Sequence, residues 1–515
     1  MADGPADSLN DNSYVAPHGF GETAVIDVFL GAGGVPTDDG DGEFTSRAWT
    51  GSERTAVEAA FAAIERVANV RFNLVSIIEE ADFVMLKNDA EPDTGIDDET
   101  LGYWWIGGGW LDYGGLEYVV DGIGVFNSAA RSWTSESLVP GGYGFITLVH
   151  ELGHGLGLKH PHDDFGGVGA MHGVDGEDDL GDFDLNQGIY TTMSYNDSWV
   201  TQPNTDPSLS DDYGWQSGLM ALDIAMLQSL YGAVASETGD TAYTLPGTDK
   251  FGTSFQAIWD TGGIDTIRYT GSKDAMISLE AATLDYSATG GGVISYVKGV
   301  HGGFTIAHGV MIENAKAGKG DDWLQGNAGA NRLDGGAGRD TVDYANRTAA
   351  IDLKLAGSAA GAVSVGGVAE DTLRNIENAV GGAAGDRLIG DSAGNWLTGG
   401  GGDDVLRGKG GHDRFVFATK PGAGNADTVM DFKHNTDVLA LEGKIFKSLG
   451  SAVTASEFYA RDGAHKAHDG SDRLVYDSGV GNLYYDADGK GGKAAVLFAT
   501  LNHMPTLDHG DFLIV

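Results

Sequence analysis

Apolar residues recur at three- and four-residue intervals through SERTAVEAAFAAIERVAN (52–69), a period that lines one face of an α-helix, with Ser52 as its cap. Short apolar runs follow at VRFNLV (70–75), ADFVML (81–86) and EYVVDGIGVF (117–126), and these predict strands. FITLV (145–149) predicts a buried helix that runs on into HELGHGLGLKH (150–160), and ALDIAMLQSLYGA (221–233) predicts a closing helix. After residue 233 the pattern changes. Glycine, aspartate and β-branched residues take over, and helical periodicity ends.

In that second part the chain repeats in blocks of nine. From residue 317 it reads AGKGDDWLQ, GNAGANRLD and GGAGRDTVD, and from 381 it reads GGAAGDRLI, GDSAGNWLT, GGGGDDVLR and GKGGHDRFV. The blocks match the calcium-binding nonapeptide of RTX proteins, in which glycines make a tight turn, aspartate supplies charge and an apolar residue points inward from a short strand. Two blocks make one coil of a parallel β-roll, so turns eighteen residues apart stack and share an ion. The turn glycines are Gly318, Gly320, Gly335, Gly336, Gly338, Gly381, Gly382, Gly399 and Gly400. Asp322 then faces the turn of Asp340, Asp386 that of Asp404, and Asn395 that of Asp413. Asn331 has no glycine-rich turn eighteen residues on and marks a weak or empty site. The expected inward residues are Trp323 or its neighbour Leu324, with Leu333, Leu388, Leu397, Leu406 and Phe415. A flexible linker would also be rich in glycine, but it needs no fixed period.

Chemistry concentrates at 150–160. Residues four apart share a helix face, so His150 and His154 can present imidazoles to one ion, while Glu151 is placed to act as a base. Gly157 permits the turn that lets His160 reach the same ion, and Pro161 keeps the helix from resuming. Three imidazoles on zinc leave a fourth position for water, the signature of a catalytic site. His162 and His172 are not expected among the ligands. Downstream, YTTMSYND places Met193 two residues before Tyr195, the spacing of a methionine turn below a metzincin metal.

With these motifs the chain resembles the serralysin family of secreted zinc endopeptidases. The resemblance implies that Tyr195 ligates zinc at rest and swings aside to stabilise the oxyanion. It also implies calcium positions in ETGDT and WDTGGIDT, namely Glu237, Gly239, Thr241, Asp260, Gly262, Gly263 and Asp265, and Glu313 in IAHGVMIENA. Glu237 stands where arginine is common in the family.

Composition narrows the reading. The 515 residues contain no cysteine, which excludes disulfides and thiolate chemistry. Lys and Arg number 31 against 75 Asp and Glu, a formal charge of −44 that would repel nucleic acid and anionic membranes. The carboxylate excess suits calcium. Between His160 and Met193 an acidic run, Asp163 to Asp184, steers basic substrates, binds another calcium or forms a solvated loop. Residues 1 to about 20 show no Sec signal pattern, and no apolar run is long enough to span a bilayer. The final DFLIV resembles a type I secretion signal, though a last buried strand would read the same.

The expected fold is an α+β metzincin-like zinc protease domain over 21–233 followed by an all-β parallel β-roll (RTX) domain over 234–515. Residues 1–20 would form a tail containing part of a propeptide. The expected function is that of a secreted, extracellular zinc endopeptidase stabilised by calcium. Its implied partners are protein or peptide substrates, the type I secretion machinery and a proteinaceous inhibitor, with no nucleic acid and no stable membrane insertion. The alternative is a secreted RTX adhesin or surface-layer protein with a vestigial metal site.

Overall fold

The computed structural model describes residues 4–11, 22–40, 42–89, 101–164, 168–203 and 210–515. The chain forms two compact units, Met1–Asp265 with Leu279–Ile312, and Thr266–Ser278 with Glu313–Val515. Most of the tail expected over 1–20 lies outside the described residues. Among the described residues no helix is long and apolar enough to cross a membrane.

The first unit runs β1 (Ala24–Leu30), β2 (Pro36–Asp38), β3 (Glu43–Thr45), α1 (Gly51–Glu65), β4 (Val70–Val75), β5 (Phe83–Asn88), β6 (Gly102–Tyr113), β7 (Glu117–Asn127), α2 (Tyr143–Gly155) and α3 (Ala221–Tyr231). Its sheet has the order β3-β2-β6-β7-β5-β1-β4. β4, β1, β5 and β7 pair in parallel, while β6 returns antiparallel to β7 and leads to the β2–β3 hairpin at that edge. β5 is buried at all six positions, as an inner strand covered on both faces should be.

α1 buries Ala56, Val57, Ala60, Phe61 and Ile64. Its cap is Thr50 rather than Ser52. Thr50 holds an extended backbone and exchanges bonds with Glu53, whose carboxylate takes the Thr50 amide at 2.6 Å. The same buried carboxylate accepts Lys87 Nζ at 2.7 Å and Trp133 Nε1 at 2.9 Å, which ties α1 to β5. On α2, Phe145, Leu148, Val149 and Leu152 are fully buried and fix the rotation of the helix. α2 ends at Gly155, and Gly157 turns the chain at φ 93°, a conformation costly for any residue with a Cβ. The N-terminal stretch clasps this turn: Lys159 N donates to Leu9 O and Asp11 N to Gly157 O, both at 2.9 Å.

Most strands of the second unit are three or four residues long and pair in parallel with one farther along the chain. Trp323–Gln325 pairs with Thr341–Asp343, Arg387–Ile389 with Val405–Arg407, and Trp396–Thr398 with Arg414–Phe417. The middle residue of each strand points inward, so Leu324 stacks on Val342, Leu388 on Leu406 and Leu397 on Phe415, all fully buried. Trp323 is 39% exposed and its indole donates to Asp343, which settles the inward position on Leu324. An antiparallel excursion, Ile351–Lys354, Gly361–Val365 and Val368–Arg374, interrupts the nine-residue period. Across it, Arg332–Asp334 pairs with Val368–Arg374 and Thr341–Asp343 with Asn378–Val380. DFLIV contains the strand Phe512–Ile514, which pairs in parallel with Val438–Leu441.

Candidate functional site

α2 brings His150 and His154 onto one face, and the turn at Gly157 returns His160 to them. The Nε2 atoms of His150 and His154 lie 3.2 and 3.0 Å from His160 Nε2. Each ring is oriented from behind: Nδ1 of His150 faces Thr192 O at 2.7 Å, that of His154 faces Leu158 O at 2.8 Å, and that of His160 faces Asp163 Oδ2 at 2.9 Å. A hydrogen spent on those oxygens leaves a lone pair at every Nε2, and three lone pairs at this separation repel unless a cation lies among them. Burial first, then the neighbouring imidazoles, pushes His150 down to about 3 and His154 well below its ordinary range, so both are neutral. The donor set therefore fits one divalent metal.

The support behind His160 is itself fixed. Burial pushes the Asp163 carboxyl up, but bonds from the His160 ring and amide outweigh it and hold the group below the carboxylate range. Lys159 is fully buried and its ammonium donates to the carbonyls of Asp163 at 2.5 Å and Val168 at 2.9 Å. This ammonium staples the loop carrying Asp163.

Glu151 is 5% exposed, and its Oε2 has no hydrogen-bond partner among the described residues. Burial alone pushes it up to about 8; a bound dication would pull the other way. Tyr195 is half exposed, with its ring centre 4.5 Å from that of His160 and 6.1 Å from that of His150. Burial, then the charge of Glu151, pushes its phenol up to about 12, so it remains a hydrogen-bond donor at neutral pH. Met193 is fully buried under α2, where a Cβ on Gly153 would sit 2.9 Å from Met193 Sδ. His162 stacks on His160 at 4.9 Å, and His172 stacks on Tyr286 at 4.1 Å, away from the three ligand rings.

The sequence reading did not single out Asp223. Fully buried on the first turn of α3, it accepts Thr191 Oγ1 at 2.6 Å, Thr192 N at 2.7 Å, Thr192 Oγ1 at 3.0 Å and Met220 N at 2.9 Å. It thereby fixes the carbonyl that orients His150. The signal was an acid near the start of an otherwise apolar helix, a capping position. Asp223→Ala strands two buried amides, and a loss of about 3 kcal/mol is expected in denaturant unfolding, together with weaker metal retention. An unchanged midpoint would show that the turn holds itself.

Beside Glu151 opens a cavity of about 600 Å³. α2 contributes Tyr143, Ile146 and Thr147, and the segment after Met193 contributes Ser194, Asp197 and Ser198.

The calcium positions expected in the first unit are brought together in part. Thr241 N donates to Asp265 at 2.7 Å, Gly262 N to Asp260 at 3.0 Å, and the backbone of Gly263 approaches that of Gly239. Glu237 takes a left-handed backbone at φ 47°. Glu313 falls in the second unit, where its carbonyl accepts Arg332 N.

In the coils, each repeat acid receives the amide of the preceding stacked turn. Asp322 N donates to Asp340, Asp386 N to Asp404 and Asn395 N to Asp413, at 2.9, 2.7 and 2.9 Å. Among the described residues Oδ2 of Asp340 and of Asp404 is buried without a hydrogen-bond partner, and a Cβ on Gly335 or Gly399 would collide with it. Gly318 and Gly382 donate their amides to Asp322 and Asp386. Burial pushes Asp322 and Asp413 up to about 6 and Asp340 to about 7. The same ladder includes acids that the eighteen-residue rule missed: Asp427 receives Asp404 N, Asp437 receives Asp413 N, Glu377 receives Asp340 N, and Asp371 receives Asn331 N. Asn331 therefore does have a stacked carboxylate, displaced by the excursion.

A helix, a glycine turn and three orienting oxygens gather three imidazoles that fit one metal, with a carboxylate beside them whose Oε2 has no hydrogen-bond partner among the described residues. The family profile described as Peptidase M10 serralysin C terminal matches residues 222–354 and 333–464. The chain is 37% identical over 205 residues to Metallopeptidase AprA of Pseudomonas marginalis, covering 37% of this chain and 38% of that protein. It is 34% identical over 219 residues to Serralysin C of Dickeya chrysanthemi (39% and 41% covered) and 34% over 226 residues to Serralysin of Photorhabdus luminescens (40% and 41%). The chain thus spans about two fifths of the length of these relatives, and these matches support a relationship to the serralysin family.

Proposed function

We propose that this protein is a secreted, zinc-dependent endopeptidase whose second unit is a calcium-stabilised parallel β-roll. Convergence of three Nε2 atoms beside the unpartnered Glu151 Oε2 carries the reading. His150, His154 and His160 would hold zinc, which when bound supplies Lewis-acid polarisation of a peptide carbonyl and acidifies water. Thr192, Leu158 and Asp163 keep the three rings aimed. Glu151 takes a proton from the attacking water and returns it to the leaving amine; its apolar surroundings keep the proton from bulk solvent. Tyr195, protonated at neutral pH, donates to the oxyanion of the tetrahedral intermediate. The acids of the second unit would hold calcium, and metzincin-like architecture would belong to the part ending near residue 233. Its substrates would be proteins or peptides, and type I export through the DFLIV end remains part of the reading.

Digestion of casein by the purified protein, with and without a zinc chelator at constant excess calcium, tests this. Chelator-sensitive digestion restored by zinc is expected. A metal-loaded, folded protein that digests nothing would favour an adhesive role.

A further inference from the structure

The cavity beside Glu151 carries a charge pattern that hydrolysis alone does not require. Besides Glu151, three carboxylates line it, Glu177, Asp178 and Asp197, and no described lysine or arginine does. None of the three makes an ion pair with a described residue. Tyr143 and Trp215, stacked at 4.2 Å with 28° between their planes, also line the cavity and provide a flat aromatic surface. Independently, the buried and unpartnered Oε2 of Glu151 belongs to the same lining, which marks the cavity as adjoining the reacting bond. An aromatic wall together with carboxylates that make no described ion pair complements one kind of side chain, a long aliphatic stem ending in a cation.

We infer that this cavity is a specificity subsite for a lysine or arginine side chain next to the scissile bond, with Asp197 as its principal charge partner and Tyr143 and Trp215 as its wall. This rests on the peptidase reading above. Asp197 sits on the segment that follows Tyr195, so the group reading the side chain and the group stabilising the oxyanion are positioned by the same turn. Glu177 and Asp178 come from the acidic run after His160, so two members of that run face the substrate cleft rather than forming only a solvated loop. An acidic side chain would meet the like charge of these carboxylates.

The test uses the full-length, zinc- and calcium-loaded protein and quenched peptides that differ only at the two residues flanking the scissile bond, with Arg, Lys, Leu or Glu at each in turn. The readout is the ratio of kcat/KM for Arg to that for Leu, in which the folded fraction cancels. A ratio of about ten or more is expected at one of the two positions, with glutamate the poorest. Asp197→Asn should bring the ratio to within about threefold of unity, and Asp197→Arg should invert the preference between Arg and Glu. A wild-type ratio near one, or a ratio that survives Asp197→Asn, overturns the subsite while leaving the peptidase reading intact. No cleavage of any peptide overturns both.

Discussion

Glu151→Gln is expected to lower kcat/KM for casein or a quenched peptide by about three orders of magnitude while the protein keeps one zinc per chain, measured by metal analysis after dialysis. Glutamine preserves the length and burial of the side chain, so the fold has no reason to change. What disappears is the ability to take a proton. The three imidazoles are oriented by Thr192, Leu158 and Asp163, and none of these contacts passes through residue 151. Loss of activity with retained metal is therefore the specific signature of a base beside the ion. Activity above about a tenth of wild type would mean that another group takes the proton, and the role given to Glu151 would fall.

Removing calcium is expected to have the largest effect on stability. Asp340, Asp404 and Asp427 are buried next to other acids, and burial pushes them up to about 7, 6 and 8. No described cation is bonded to any of them, so an ionised ladder depends on a bound ion. In excess chelator at pH 7.5 the β signal in circular dichroism should fall sharply and calcium should restore it. The pH dependence has a definite sign. The folded-state values lie above the unfolded ones, so without calcium the contribution of these acids is fully present below about pH 4 and is lost as pH rises through 6 to 8. The chelated protein should thus melt higher at pH 5 than at pH 8. With calcium bound the order should reverse, because the ion favours the ionised form. A melting temperature indifferent to both chelator and pH would rule out the calcium role of the ladder.

The metal centre was legible from the sequence because its parts are local: eleven residues hold the helix, the base, the turn and the third imidazole. Their support was not, because it comes from distant segments. Thr192 is 42 residues from His150, Asp223 lies a further 31 from Thr192, and both act through bonds that leave no short motif. Repeats were legible for the same reason as the helix, a fixed period, until the excursion at 351–374 stretched the stacking distance from 18 residues to 37 and 40. Asp371 and Glu377 then became partners that no fixed interval could find. β1 and β6 were also missed: β6, YWWIGGGWLDY with its leading glycine, mixes aromatics with glycines, and neither an alternating nor a continuous apolar pattern describes it.

Pairing of Phe512–Ile514 with Val438–Leu441 joins strands separated by more than seventy residues. Without Phe512–Ile514 beside it, the outer hydrogen-bonding edge of Val438–Leu441 would be open to any other extended chain. Phe512–Ile514 thus covers that edge and itself becomes the outermost strand of the sheet.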